Sequence, residues 1–462
     1  MTSTPRRSSG IRFTPPWTRT AAALVAAAGL LFVVAACGST PEAPPVATAT
    51  PREAGATAVP TTTPTPDPAD RVPPTVAAPR AASTPTGPTA TPTVTPTPDP
   101  ADRVPPTIAA PSLSGRRGGE VGDSAPEFAK DSNWLNSEPL TIAGLRGQVV
   151  LIDFWTYTCI NCIRTMPFLR EWQEKYAEAG LVIVGVHSPE FEFEKVAANV
   201  EQAIAEFMLG YPVVQDNDFL TWRSYNNRFW PAKYLIDAEG VVRYTHFGEG
   251  AYDQTELKIR GLLAEAGRDV SAIPVNHDRG PVADLRAYSG GQETRITREI
   301  YGGWQRNSNP RGRYIAHPGY YEGPFLSQLY TDPGDHANGF LYLQGEWTAD
   351  VDAITHARTT RNYEDYLALR FSARSVNVVI DFAEGTEPFE VQVTLDGGPL
   401  NAEDAGRDVV IEGTRSYFVV DGPRLYEVVS LLEYGDGELT FSSNSKDFGL
   451  FALTFGAYAD IP

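Results

Sequence analysis

Two cysteines separated by two residues, Cys159 and Cys162, are the residues of this chain best suited to chemistry. An apolar run that predicts a buried strand precedes them, and the segment from Ile163 to Glu178 has apolar residues at helical spacing. The first cysteine therefore lies at a helix N-terminus, where free backbone N–H groups favour a thiolate. The second lies one turn further on, within reach of a mixed disulfide formed by the first. This arrangement predicts a redox-active disulfide that exchanges with other disulfides.

Two other interpretations of the cysteine pair are a zinc site and a structural disulfide. If the cysteine pair were half of a zinc site, the chain would need a second pair of cysteine or histidine ligands at suitable spacing. The chain has 3 cysteines and 6 histidines, and the histidines are scattered without a short-spaced pair. A disulfide that closes so short a loop would stabilise little, because stabilisation grows with loop length. The sequence therefore favours redox activity and predicts no metal and no cofactor.

Asp153 is a carboxylate on a strand that is otherwise apolar. Burial raises the pKa of a carboxyl group, so that it can accept a proton near neutral pH. We predict that Asp153 is the base that deprotonates Cys162 when the substrate is released. The alternative is that Asp153 points to solvent at the end of its strand.

Several segments resemble known families. Residues 153–155, the cysteine pair and Pro167 match the thioredoxin pattern. Residues 156–162 and 185–191 resemble more specifically the extracytoplasmic C-terminal region of the DipZ family, within the wider TlpA-like group. Residues 371–379 resemble the sandwich domain of the same family. The resemblance implies an α/β thioredoxin-like domain, a mixed sheet flanked by helices, with a carboxylate behind the second cysteine. A carbohydrate-binding-module-like β-sandwich follows it.

Residues 229–237 resemble the loop that carries the cis-proline of thioredoxins. Pro231 has no N–H, and a cis bond after Trp230 would leave the preceding backbone free to pair with an extended substrate. We therefore predict that Pro231 and Trp230 dock the substrate, and that Trp155 packs around the active site. No basic residue stands immediately beside Cys159 in the sequence, which favours a reductant.

The N-terminus has the features of an export signal. Arginines precede an apolar stretch, residues 21–36, that is too short for a comfortable membrane span. Residues 34–38, Val-Ala-Ala-Cys-Gly, resemble a bacterial lipobox, which implies a lipid on Cys37 after cleavage. The alternative is an ordinary membrane anchor that happens to end in cysteine. Either interpretation places the rest of the chain outside the cytoplasm, held at the cell membrane.

The chain has 462 residues, enough for two or three domains. Its Pro-, Thr- and Ala-rich segment cannot form a core, and the near-identical repeat of residues 65–75 at 97–107 has no apolar face to stack. We predict a lipoprotein signal at 1–36, a disordered linker at 37–119, a thioredoxin-like redoxin domain at 120–270, a connector at 271–300 and a β-sandwich at 301–462.

Short alternating runs with turn signals predict that the β-sandwich is antiparallel. The predicted strands are 339–347, 366–373, 376–382, 389–395, 415–420, 425–432, 439–442 and 450–455. In the redoxin domain, residues 125–128 and 140–147 resemble the extra N-terminal hairpin of the TlpA-like group. Aromatic residues of the sandwich either fill its core or form an exposed row that stacks on sugar rings: Trp304, Tyr320, Tyr321, Tyr330 and Trp347.

The sequence as a whole predicts an extracytoplasmic, lipid-tethered thiol–disulfide oxidoreductase. In this prediction Cys159 attacks, Cys162 resolves and Asp153 moves the proton. The partners are disulfide-containing exported proteins, the membrane through the lipid on Cys37, and a glycan on the sandwich. The resemblance to DipZ proteins, which carry a CcdA-like membrane domain, implies a separate CcdA-like membrane electron donor. A net charge of −19 argues against nucleic acid.

Two other functions remain open from the sequence. A thiol peroxidase of peroxiredoxin type, with antioxidant activity, is one, because Thr156 precedes Cys159 by three as in the Thr-x-x-Cys motif of that family. Ile152 stands where that motif needs proline, and Cys162 is a resolving thiol that peroxiredoxins rarely place there. The other is a cell-wall or glycan-binding protein whose redox domain is secondary.

Overall fold

The computed structural model describes residues 118–275, 296–308, 312–381 and 385–457. The predicted signal, Cys37 and nearly all of the predicted linker lie outside these residues. None of the helices in the described ranges is long and apolar enough to cross a membrane. The predicted domain boundaries stay predictions, and the two folded parts are called here the first domain (118–275) and the second domain (296–457).

The first domain is a six-stranded mixed sheet with helices packed against it. Its central strand β2 pairs in parallel with β3 and antiparallel with β5, in the order β1-β4-β3-β2-β5-β6. The strands are β1 (Trp134–Leu135), β2 (Val149–Trp155), β3 (Leu181–His187), β4 (Val213–Gln215), β5 (Ala232–Ile236) and β6 (Val242–Phe247). The helices are α1 (Ile160–Tyr176), α2 (Ala197–Glu206), α3 (Leu220–Ser224) and α4 (Tyr252–Glu265).

Strand β2 is buried along its whole length, because both faces of the sheet are covered. Successive side chains of a strand point to opposite faces. Ile152 and Phe154 accordingly belong to one core, and Leu151 and Trp155 to the other, which includes apolar residues of α1 and α4. Asp153 therefore shares the α1 face of the sheet with Leu151 and Trp155.

The segments that resemble a TlpA-like N-terminal hairpin do not form one. Within the described chain, residues 125–128 and 140–147 contain no strand, and the second segment is a series of turns. The Glu127 carboxylate accepts the N–H groups of Ile142 and Ala143 at 2.7 and 2.9 Å, so a side chain holds this turn instead of strand pairing. The edge of the sheet is extended by β1, which pairs with β4.

The second domain is a single antiparallel sheet of eleven strands that folds over one core. Its helical segments are the short helix α5 (Trp304–Asn307) and a 3₁₀ turn at Pro318–Glu322. The strands are β7 (Ile300–Tyr301), β8 (Ser327–Tyr330), β9 (Tyr342–Ala349), β10 (Ile354–His356), β11 (Tyr366–Asp381), β12 (Phe389–Leu395), β13 (Gly398–Pro399), β14 (Val410–Glu412), β15 (Arg415–Val420), β16 (Arg424–Ser442) and β17 (Gly449–Gly456).

Two pairs of predicted strands are each one long strand. The runs at 366–373 and 376–382 are both parts of β11, and those at 425–432 and 439–442 are both parts of β16. Pairing between β11 and β16 continues through register shifts near Ser375, although the alternation of apolar residues is interrupted there. The first part of β11 also pairs with β9 and the second part with β17, which folds the sheet over its core. The predicted fold class, thioredoxin-like α/β followed by antiparallel all-β, is confirmed.

The five aromatic residues considered as a sugar-binding row do not form an exposed row. Tyr320, Tyr330 and Trp347 are buried in the core of the second domain. Trp304 and Tyr321 are partly buried and pack against the same core. Core packing therefore accounts for all five.

The two domains share a packed seam. Phe451 of β17 lies edge-on to the rings of Phe191 and Phe193, at centroid distances of 5.3 and 5.0 Å. Arg306 of α5 forms an ion pair of 2.7 Å with Glu190. These contacts hold the second domain against the segment that follows β3.

Candidate active site

Cys159 is the N-cap residue of α1, at the end of the loop that leaves β2. Its Sγ accepts the backbone N–H of Cys162 at 3.4 Å, and its carbonyl accepts the N–H of Ile163 at 3.0 Å. The side chain is half-buried. Cys159 is therefore the more exposed thiol of the pair.

Cys162 lies behind Cys159 and is only 1% exposed. Burial raises the pKa of its thiol well above the ordinary value, and the neighbouring Cys159 and Asp153 raise it further. This thiol must lose a proton before it can attack a disulfide. Deprotonation of Cys162 near neutral pH would therefore call for a base close to the thiol.

Asp153 is 2% exposed and does not point to solvent. Burial raises the pKa of its carboxyl group to about 7, and the charge of Lys233 opposes that rise. A carboxyl group with this pKa can both accept and return a proton near neutral pH. Asp153 and Cys162 lie on the same side of the sheet, in the core that contains α1.

Lys233 is a functional candidate that the sequence analysis missed. It stands directly opposite Asp153 in the antiparallel pairing of β2 with β5, and its side chain is fully buried. Burial lowers the pKa of its amine, while Asp153 and Cys162 raise it. The Nζ atom makes no hydrogen bond within the described residues and lies 5.7 Å from the centre of the Tyr252 ring. A lysine at an inward position of a buried strand was the sequence signal that could have identified it.

Glu194 is a second buried carboxyl group near the cysteine pair. It accepts the hydroxyl of Thr158, the residue before Cys159, at 2.6 Å, and the N–H of Phe191 at 3.0 Å. Burial raises the pKa of Glu194 to about 7. Thirty-six residues separate Thr158 from Glu194, so no local pattern pointed to this contact. Glu194 fixes the loop that carries Cys159.

Aromatic rings pack around the same loop. Trp155 is 1% exposed and its ring lies edge-on to that of His187. Tyr157 stacks on His187, with ring centres 5.7 Å apart. Burial lowers the pKa of His187 to about 3, so the imidazole is neutral. Its Nε2 lies 3.4 Å from the Thr156 hydroxyl. These contacts fit a packing role for Trp155.

The Trp230–Pro231 peptide bond is cis. The indole N–H of Trp230 donates to the carbonyl of Ser188 at 3.0 Å, and its ring packs on Trp222 with centres 4.3 Å apart. Trp230 is thus held from two sides beside the loop after β3. The structure brings Cys159, Cys162, Asp153 and Trp155 into one site and places the proline loop on the strand next to β2.

The described residues hold no cluster of three or more His, Cys, Asp or Glu side chains arranged to bind a metal ion.

Comparison with known proteins identifies relatives of both domains. Residues 121–245 match the model of the AhpC/TSA family, and residues 297–456 match the model of the thioredoxin like C-terminal domain. Protein DipZ of Mycobacterium tuberculosis (strain CDC 1551 / Oshkosh) is 36% identical over 336 residues, which cover 72% of this chain and 43% of DipZ. The chain thus spans less than half the length of that relative.

Shorter relatives match the first domain. Thiol-disulfide oxidoreductase YkuV of Bacillus subtilis (strain 168) is 29% identical over 140 residues, covering 30% of this chain and 94% of YkuV. A solution structure of a thioredoxin-like protein in the oxidised form is 30% identical and covers 31% of this chain and 95% of its own, with a TM-score of 0.29. The match to DipZ is longer than either domain alone and confirms the resemblance inferred from the sequence. The first domain therefore has a thioredoxin-like fold, and the chain resembles the DipZ family across both domains.

Proposed function

We propose that this chain is a membrane-tethered, extracytoplasmic thiol–disulfide oxidoreductase that reduces or exchanges disulfides of exported proteins. The observation that carries the proposal is the graded exposure of the cysteine pair. Cys159 is half-buried at a helix N-terminus, whereas Cys162 is buried directly behind it, beside a carboxyl group whose pKa is about 7. Relatives named thiol-disulfide oxidoreductase support the same activity.

The reaction follows from this geometry. The Cys159 thiolate attacks one sulfur of a substrate disulfide, forms a mixed disulfide and releases the other substrate sulfur as a thiolate. Asp153 then takes the proton of Cys162, and the new thiolate attacks the Cys159 sulfur. This step closes the Cys159–Cys162 disulfide and releases the second substrate sulfur. Two electrons pass from the cysteine pair to the substrate. An external dithiol must then reduce the Cys159–Cys162 disulfide before the next cycle.

The remaining residues have supporting roles in this proposal. Pro231 and Trp230 dock the polypeptide that carries the disulfide. Trp155 packs against His187 beneath the active-site loop and so supports the position of that loop. The positive charge of Lys233 lowers the pKa of Asp153 and so sets the pH at which the Asp153 carboxylate can accept a proton.

The proposed location rests on the sequence features at the N-terminus. A lipid on Cys37 would tether the chain, and the linker, if extended, would let the domains reach on the order of 250 Å from the membrane. The similarity to DipZ supports a membrane electron donor, which we propose to be CcdA-like. Exported proteins with disulfides are then the substrates within reach.

A peroxidase is the second candidate, because the first domain matches the AhpC/TSA family. Thr156, the residue that fits the Thr-x-x-Cys motif, is fully buried and its hydroxyl faces His187. A peroxide bound at Cys159 would need that hydroxyl to turn towards it, so the geometry favours disulfide exchange.

A redox titration tests the proposed function. The full-length protein is equilibrated in buffers of defined thiol–disulfide ratio, and the fraction of oxidised Cys159–Cys162 is measured by thiol labelling. A two-electron transition, followed by reduction of insulin faster than a free small thiol achieves, supports the proposal. Rapid consumption of peroxide with negligible insulin reduction would assign the chain to the peroxidases instead.

A further inference from the structure

A cleft of about 140 Å³ opens at the seam between the two domains, next to the cysteine pair. Tyr157, two residues before Cys159, and Ile163, directly after Cys162, are among its lining residues. Helix α2 forms one wall, and the segment Asp421–Leu425 of the second domain forms the other. The second domain therefore builds part of the surroundings of the active site.

The lining of this seam cleft offers both charges and amide groups. Asn199 and Gln202 supply side-chain amides, Glu206 a carboxylate and Arg407 a guanidinium. The Arg424 side chain is held at 2.9 Å from Asp408 and at 3.1 Å from Asp421, with its guanidinium 3.9 Å from the centre of the Tyr426 ring. Polar groups of both charges beside an aromatic side chain suit a polypeptide backbone with varied side chains. A phosphate-rich ligand would require an excess of positive charge.

A buried hydroxyl group in the lining also points to a ligand. The Tyr157 side chain is 4% exposed, and its hydroxyl lies near Asn199 without a hydrogen bond of good geometry within the described residues. Burial, with a further contribution from Glu194, raises the pKa of Tyr157 far above its ordinary value, so the hydroxyl keeps its proton. A buried polar group whose hydrogen bond is poorly formed is costly, and a ligand carbonyl could accept a better hydrogen bond from this hydroxyl.

We propose that the seam cleft binds an extended polypeptide segment next to the substrate disulfide, so that the second domain helps to select substrates. The inference rests on the proposed function, because the substrate sulfur must be placed at Cys159. A chain extended from that sulfur advances about 3.3 Å per residue, so a few residues suffice to enter a cleft lined by Tyr157 and Ile163, the near neighbours of the cysteine pair in the chain. The ring of Tyr157 is buried against His187 and offers no open face for stacking on a sugar, which favours a polypeptide.

Peptide disulfides of two lengths test this inference with the full-length protein. A dipeptide and a mixed-charge decapeptide each carry a cysteine joined to the same chromogenic aromatic thiol, so the leaving group is identical. The rate of attack by Cys159 is measured from release of the chromophore. We expect the wild-type protein to react about tenfold or more faster with the decapeptide, because only the longer peptide reaches the cleft.

Two neighbouring positions on α2 provide a variant and its control. Gln202 is exposed and lines the cleft, whereas Glu201 is exposed and does not line it. We expect Gln202→Trp to bring the ratio of decapeptide to dipeptide rates close to one, and Glu201→Trp to retain the wild-type ratio. Arg407→Glu, on the opposite wall, should also lower the ratio, and this effect should weaken with added salt. Thermal unfolding verifies that the variants are folded.

The outcomes separate the cleft from the proposed function. Reaction with both peptides at equal rates in the wild-type protein, or an unchanged ratio in Gln202→Trp and Arg407→Glu, overturns the peptide site and leaves the oxidoreductase in place. Failure of the wild-type protein to react with either peptide overturns both. An oligosaccharide that suppresses the decapeptide reaction of the wild-type protein but not of Gln202→Trp would assign the cleft to a sugar and overturn the inference.

Discussion

Asp153 and Lys233 face each other across the antiparallel strands β2 and β5, and both side chains are buried on the side of the sheet that holds Cys162. Two opposite charges near a buried thiol influence one another's protonation, because water cannot screen them. We therefore propose that the pair sets the pH at which Cys162 loses its proton. Its two members are separately testable.

Removal of the lysine charge should shift the pH dependence of turnover. Lys233 lowers the pKa of Asp153, so Lys233→Met should raise that pKa above about 7. The ionised fraction of Asp153 at neutral pH then falls, and the acid limb of the pH–turnover profile moves to higher pH. The exposed Lys258, replaced by Met, is the control for loss of one positive charge. An acid limb that stays in place in Lys233→Met would show that Lys233 has no influence on the base.

Replacement of the carboxylate should slow only the second half of the reaction. Because Asp153 is proposed to act on Cys162, Asp153→Asn should slow release by about 100-fold or more while the first attack by Cys159 is largely retained. Stopped-flow measurement of mixed-disulfide formation and of its decay separates the two steps. Equal slowing of both steps would point to a structural role for Asp153.

The neighbouring carboxyl group predicts a pH effect on stability. Burial raises the pKa of Glu194 from 4.5 to about 7, so the folded state binds a proton more tightly than the unfolded state. The free energy of unfolding should therefore fall as the pH rises from about 4.5 to about 7, by at most about 3 kcal/mol from this group. Stability of Glu194→Gln should fall less over this pH range than that of the wild-type protein, although buried Asp153 still contributes. Glu192→Gln, at an exposed position of the same turn, should show the wild-type fall. Chemical denaturation at pH 5 and pH 7.5 provides the comparison.

The anchor prediction concerns Cys37, in the N-terminal segment. Cys37→Ser should abolish lipid attachment, so that the protein appears in the soluble fraction instead of the membrane fraction. Mass spectrometry of the mature wild-type N-terminus should find a lipidated cysteine. A Cys37→Ser protein that is processed at the same site and remains bound to membranes would rule out the lipid anchor.

Much of the first domain could be predicted from local sequence because its features are local. The strand before Cys159 and the helix after Cys162 are each specified by neighbouring residues. Lys233 could have been found by the same alternation that placed Asp153, since both are charged residues at inward positions of apolar strands.

The features that were missed depend on contacts between distant residues. Glu194 reaches Thr158 only because the segment after β3 folds back over the active-site loop. In the second domain, long-range pairing carries β11 and β16 through stretches whose local pattern predicts a break. The seam cleft is lined by residues of both domains, so no pattern within the sequence of either domain alone could predict it.

The most direct test of the central claim is a trapping experiment with the two cysteine variants. Full-length Cys162→Ser and Cys159→Ser are each incubated with exported proteins that contain disulfides, and covalent adducts are identified by non-reducing electrophoresis and mass spectrometry. Cys162→Ser should accumulate stable mixed disulfides through Cys159, because attack survives and release does not. Cys159→Ser should trap nothing, since Cys162 is buried and Cys37 is proposed to carry lipid. Equal trapping by both variants, or by neither, would contradict the assignment of Cys159 as nucleophile and Cys162 as resolving thiol.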